Sequence, residues 1–159
     1  MDGNSCPTGP SSCTKPFAHS PIDEVNSQVT AAAPLYYAML FISRAGVGNT
    51  LSTTVSSGNL NVFAHAVSLD SGGTNVVIVN NEASAGLSAR VSFGTAVSSA
   101  TAVYLQSPSL SATSGVTFAG SGVSAAGEWT AKERYKITVS GSSATIVVPP
   151  ASVALLQAQ

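Results

Sequence analysis

The stretch from Thr74 to Ser84 reads TNVVIVNNEAS, a run of β-branched residues closed by Asn80, Asn81 and Glu82. A glutamate at the end of a buried strand, beside an asparagine, is the right residue type to protonate a leaving group. Acid–base work on a glycosidic bond needs a second carboxyl group, about 5 Å away for retention of configuration and somewhat farther for inversion. The acids on offer are Asp2, Asp23, Glu24, Asp70, Glu82, Glu128 and Glu133. Asp23 and Glu24 are adjacent in a Pro-flanked segment, where neighbouring side chains diverge. Glu82 is followed by GLSARVSF, which reads as another strand with no helix between, so it lacks the context of a parallel barrel. A general acid also needs burial or a partner to lift its pKa, and Asn81 to Ala85 reads as an exposed turn. The sequence therefore predicts a turn role for Glu82 and no catalytic residue in this chain.

Other reactive types fare no better. His65, in NVFAHAVSL, shares a face with Phe63 and Val67 and reads as a partly buried strand histidine. Serine is abundant, yet no G-x-S-x-G elbow stands between a strand and a helix. There is no phosphate-binding loop or dinucleotide fingerprint, so no cofactor is expected. Cys6 and Cys13 lie in CPTGPSSC and can close a short disulfide in an oxidising compartment. Two thiols without nearby partners cannot complete a tetrahedral site, and neither His19 nor His65 stands at a ligand spacing from them, so no metal is expected. Trp129 and Tyr135 offer faces on which a sugar could stack; the plainer reading places Trp129 over the edge of a sheet.

The elements that must position these residues follow from composition and period. The 159 residues fit one domain with an appended segment. Apolar residues make up 44% and charged residues only 8%, against about 25% charged in an average soluble protein. Ser, Thr, Ala, Gly and Val fill the difference, which suits β-structure and leans towards a secreted protein. A net charge of −1 excludes an electrostatic attraction to nucleic acid or anionic lipid. Lys132, Arg134 and Lys136 alternate as on a solvated strand face. MDGNSCPTGP has neither a basic start nor an apolar run, so no signal peptide is read there.

The first 30 residues, interrupted by Pro7, Pro10, Pro16 and Pro21, read as loop. PLYYAMLFISRA, from Pro34 to about Ala45, reads as a helix with Pro at its first turn and Gly46 and Gly48 beyond its end. Leu35, Met39 and Ile42 fall on one face, broadened by Tyr36, Leu40 and Phe41, so the helix expects neighbours on more than one side. Such a helix would leave an apolar patch and favour self-association. After Gly48 the period switches to two. Leu51–Val55, Leu60–Leu69, Thr74–Asn80, Leu87–Phe93, Ala102–Gln106, Gly115–Phe118, Arg134–Val139, Ala144–Val148 and Val153–Leu156 read as strands separated by Gly/Ser turns. The fold class expected is mainly β: an antiparallel β-sandwich of about eight or nine strands after a loop and one α-helix.

Four segments carry a family resemblance: AAAPLYYAMLFISRAG, NVFAHAVSLDSGGTNVVIVNNE, AVYLQSPSLSATSGVTFAGSGV and IVVPPASVALLQ. Together, and in this order, they resemble the C-terminal region of glycoside hydrolase family 79, the β-glucuronidase family. The resemblance implies that residues 1–48 hold a loop and the terminal helix of an incomplete (β/α)8 catalytic barrel, and that 49–159 form the C-terminal β-sandwich. It implies that the two catalytic glutamates lie upstream of this chain, so that the chain alone is not an enzyme while its parent is a secreted retaining hydrolase. The expected partner is a catalytic barrel of the same or another chain, with glycans as further partners and no membrane or nucleic acid. His19 and Phe17, just before the last barrel helix by the same comparison, would lie next to substrate in a complete enzyme. The alternative is a stand-alone carbohydrate-binding module.

Overall fold

The computed structural model describes residues 20–159. The loop expected over the first 30 residues gives way at its end to a hairpin, β1 (Ile22–Val25) and β2 (Gln28–Ala32). Its two-residue turn is Asn26–Ser27, both at positive φ (50° and 60°), the backbone twist that suits a tight hairpin. The strands are too short to show a period, and the turn lacks the Asn-Gly signature, so nothing in the text announced them.

Helix α1 runs Pro34–Ala45, with Pro in its first turn. It stops because Gly46 takes φ +87°, a conformation that disfavours any side chain, and because Asn75 Nδ2 donates to the orphan carbonyl of Ala45 at 2.8 Å. The packed face is not the one that the Leu35–Met39–Ile42 stripe suggested. Tyr37 and Phe41 are buried, whereas Leu35, Met39 and Ile42 are 50%, 57% and 70% exposed. Both faces are apolar; the aromatic one removes more area from water, and Tyr37 Oη accepts the Val123 N–H at 3.0 Å.

The remaining strands are β3 (Gly48–Leu51), β4 (Val62–Leu69), β5 (Thr74–Asn80), β6 (Leu87–Ser92), β7 (Ala100–Gln106), β8 (Thr117–Phe118), β9 (Tyr135–Ile137), β10 (Val139–Ser140), β11 (Ser143–Val148) and β12 (Ser152–Ala158). All pairings are antiparallel. The larger sheet has the order β3-β4-β5-β12-β7, with β8 and β9 pairing successive parts of the far side of β7; the smaller is β10-β11-β6. β3 starts earlier than the sequence suggested because Gly48 lies flush on β4, where a Cβ would stand 2.0 Å from the Ser68 carbonyl oxygen.

Three layers result. Between the sheets, Val76, Ile78, Ala102, Ala154 and Leu156 of the larger meet Ala144, Ile146 and Val148 of the smaller. On the other face of the larger sheet, Val77, Val103 and Leu155 pack with Tyr37 and Phe41 of α1 and with Phe118. The alternation along β12 thus places Ala154 and Leu156 in one core and Leu155 in the other, which is why VALL is apolar at consecutive positions. Leu155, Leu156, Ile146 and Phe118 are almost fully buried, each contributing roughly 1.5–3 kcal/mol by area removed from water. The architecture is the expected mainly-β antiparallel sandwich, with one helix on its outer face.

Candidate functional site

The Asn80–Glu82 corner is the first place to look for chemistry. Asn80 is 1% exposed. Its Nδ2 donates to the carbonyls of Ala85 (2.8 Å), Pro149 (2.9 Å) and Val148 (3.1 Å), and its Oδ1 accepts the Glu82 N–H at 3.2 Å. The Glu82 carboxylate accepts the Asn61 N–H at 2.6 Å, and its main-chain carbonyl accepts the Ala151 N–H at 2.9 Å. The corner therefore ties together the loop before β4, the end of β5 and the β11–β12 turn. The side-chain hydrogen bonds of Asn80 and Glu82 all go to backbone groups, as expected of a turn. Among the described residues no group of three or more His, Cys, Asp or Glu side chains comes together to hold a metal ion.

His65 is exposed, not partly buried. It sits on the outer face of the larger sheet, opposite Val77 across β4–β5. α1 packs on β5, β7 and β8 of that sheet, and His65 and the 59%-exposed Phe63 on β4 lie open.

Trp129 and Tyr135 are not brought together. Trp129 belongs to the helix-side core: its ring stacks on Phe118 (centroids 5.0 Å apart, planes at 10°), its Nε1–H donates to the Phe118 carbonyl at 3.1 Å, and Arg44 lies 5.5 Å from its centroid. Tyr135 pairs with Ala102 on β7 and meets Tyr104 edge-on at 5.5 Å, on the side of the sheet that faces the sandwich interior. Its hydroxyl donates to Glu133 Oε2 at 2.7 Å, a bond that pushes the Tyr135 pKa up because it favours the protonated phenol. His19, Phe17, Cys6 and Cys13 lie outside the described residues.

The surface that stands out is apolar. Leu35, Met39 and Ile42 project from α1, and Leu110 is 51% exposed on the Ser107–Val116 loop. Between the first turn of α1 and that loop lies a hollow of about 260 Å³, with Leu105 and Val153 among its lining residues. Sequence reasoning found the helix and its two apolar sides, but not which side would remain uncovered.

No protein-family model and no curated protein sequence matches the chain. Solved structures do match. The chain is similar to part of the GH51 arabinofuranosidase from Xanthomonas axonopodis pv. citri (17% identity, TM-score 0.61) and of the α-L-arabinofuranosidase from Thermotoga maritima in its arabinose complex (16%, 0.66). It is similar too to a 4-O-α-L-rhamnosyl-β-D-glucuronidase from Fusarium oxysporum 12S (19%, 0.57). The alignments cover 87%, 86% and 77% of this chain but only 28%, 30% and 29% of those proteins. The fold is thus that of a β-rich part of larger glycoside hydrolases, and the chain spans less than a third of the length of the structures it matches.

Proposed function

We propose that the chain is the C-terminal accessory β-sandwich of a secreted, β-glucuronidase-like glycoside hydrolase of family 79 type, and that it supports a catalytic barrel without performing catalysis. The observation that carries this reading is α1: its aromatic face packs on the outer face of the larger sheet while Leu35, Met39 and Ile42 stand open on the other side. A helix apolar on two sides belongs between two bodies. The fold similarity to about 30% of larger glycoside hydrolases and the low charge content accord with it. On this reading residues up to about 48 are the rim of the barrel, the barrel covers the exposed helix face, and the parent removes β-linked glucuronic acid with retention.

The test uses the full chain. Incubation with a chromogenic β-glucuronide is expected to give no turnover, and turnover abolished by Glu82→Gln would overturn the reading. Titration with a glucuronic-acid-bearing polysaccharide is expected to give no heat. Heat that disappears in Tyr135→Ala, at the exposed aromatic of the two, would instead favour a carbohydrate-binding module.

A further inference from the structure

A strand at the edge of a sheet invites pairing with another chain, and a charge on the strand or a very short strand discourages it. β6 carries Arg90, β9 carries Lys136 and β1 carries Asp23 and Glu24, while β8 and β10 are two residues long. β3 differs. It ends the larger sheet, and beyond it lies no strand among the described residues. Its sequence, GNTL, is uncharged, and no Asp, Glu, Lys or Arg occurs anywhere from Ala45 to Leu69. Asn49, Thr50 and Leu51 are exposed. α1 packs on β5, β7 and β8, and β11 on β5, β9 and β12. Both covering layers are thus centred away from β3, and a second body can reach its edge.

The side chains along this edge form a pattern that is its own complement. Alternation puts Asn49 and Leu51 on one face, and the same period carried back one step adds Val47. Val47 is 83% and Leu51 39% exposed, so an apolar residue stands on either side of a central amide. Two antiparallel copies related by a two-fold axis at Asn49 place Val47 of each opposite Leu51 of the other, as cross-strand apolar pairs. Asn49 then faces its own equivalent, and an amide side chain, being both donor and acceptor, can bond to a second amide. On the other face Thr50 lies opposite Gly48, where no side chain crowds it. In an isologous contact each patch must match itself, and this edge does.

We infer that the edge of β3 is a docking surface for a second copy of this chain, paired antiparallel about Asn49 so that the larger sheets of the two molecules become one. The contact spans about five residues a side at the usual strand spacing of about 4.8 Å. That is small against the roughly 800 Å² per partner of a stable complex, so the dimer is a weak one, forming at about 0.1–1 mM chain. The inference rests on β3 and its flanking residues, and not on the role proposed for the helix face.

The test follows deuterium exchange of the Gly48–Leu51 amides in the full chain carrying Met39→Lys, which takes the open face of α1 out of any association. At about 10 μM chain the outward-facing amides of this stretch are expected to exchange as freely as those of a solvated loop. At about 1 mM they are expected to slow by about twofold to threefold, by mass action. Asn49→Lys and Asn49→Glu each set like charges directly opposite one another across the two-fold axis and are expected to weaken the dimer by about tenfold, abolishing the slowing. Asn49 is exposed, so both variants keep the fold. An equal mixture of the two, at the same total concentration, is expected to restore it. Edge amides equally protected at both concentrations, no slowing at about 1 mM, slowing that survives in either charged variant alone, or a mixture that behaves as its components would each overturn the inference.

Discussion

Asn80 and Glu82 show how a residue pair suited to catalysis can be consumed by architecture. The Asn80 side chain satisfies three buried or half-buried carbonyls, one in the adjoining turn and two in the distant Val148–Pro149 segment. Removing it takes this donor from all three and leaves the Pro149 carbonyl with the Ser152 hydroxyl at 2.7 Å, and desolvation of unpaired groups outweighs the modest net worth of each bond. Asn80→Ala is expected to lower the unfolding free energy by about 2–4 kcal/mol, read from urea denaturation. Glu82→Gln keeps an oxygen able to accept the Asn61 N–H and is expected to change it by about 1 kcal/mol or less. Comparable losses from both would mean that the carboxylate charge, not the turn geometry, holds the corner.

At the scale of elements, α1 separates what packs from what is presented. Phe41 contacts Phe118 edge-on at 5.5 Å and is 4% exposed, so Phe41→Ala is expected to cost about 3–5 kcal/mol by thermal or urea unfolding. Met39→Lys lies on the open face and is expected to stay within about 0.5 kcal/mol of the parent chain. It should also suppress self-association seen by sedimentation at high concentration; a clean monomer for the unaltered chain would count against an adhesive helix face. Much of the element order was legible: Pro34 and Gly46 punctuate the helix, and the period-two runs and Gly/Ser turns mark most strands. The orientation of the helix was not, because a stripe of Leu, Met and Ile and a stripe of aromatics look equally apolar until the sheet they meet is known. The burial of His65 was misjudged for a related reason, since Phe63 and Val67 on its face are apolar but no described residue buries His65 or Phe63. The division of strands between sheets was likewise hidden, as β12 pairs with β5 and β7 from far along the sequence. For the Asn80–Glu82 corner, the turn was readable from Asn81 to Ala85, but the carbonyls that Asn80 collects around residues 148–149 were not.

At the scale of the molecule, the two sheets are joined by packing and by a bond from the Tyr104 hydroxyl on β7 to the Val147 carbonyl on β11, at 2.8 Å. Burial pushes the Tyr104 pKa up from its ordinary value. The folded state thus holds the phenolic proton more tightly than the unfolded chain, so this stabilisation is complete below the ordinary tyrosine value and is lost as pH rises through the folded one. The unfolding free energy of the parent chain is expected to fall above about pH 10. Tyr104→Phe should start about 1 kcal/mol lower and lose less over the same range; parallel curves would refute the linkage. The position of β12 has a further consequence. It is the last strand in chain order, yet it lies between β5 and β7, which touch no other central neighbour in common. During synthesis the two halves of the larger sheet stay unjoined, their inner edges bare, until β12 follows β5 and β7 out of the ribosome. This part of folding is accordingly slow, and the nascent protein is then at its most vulnerable to sticking to its neighbours.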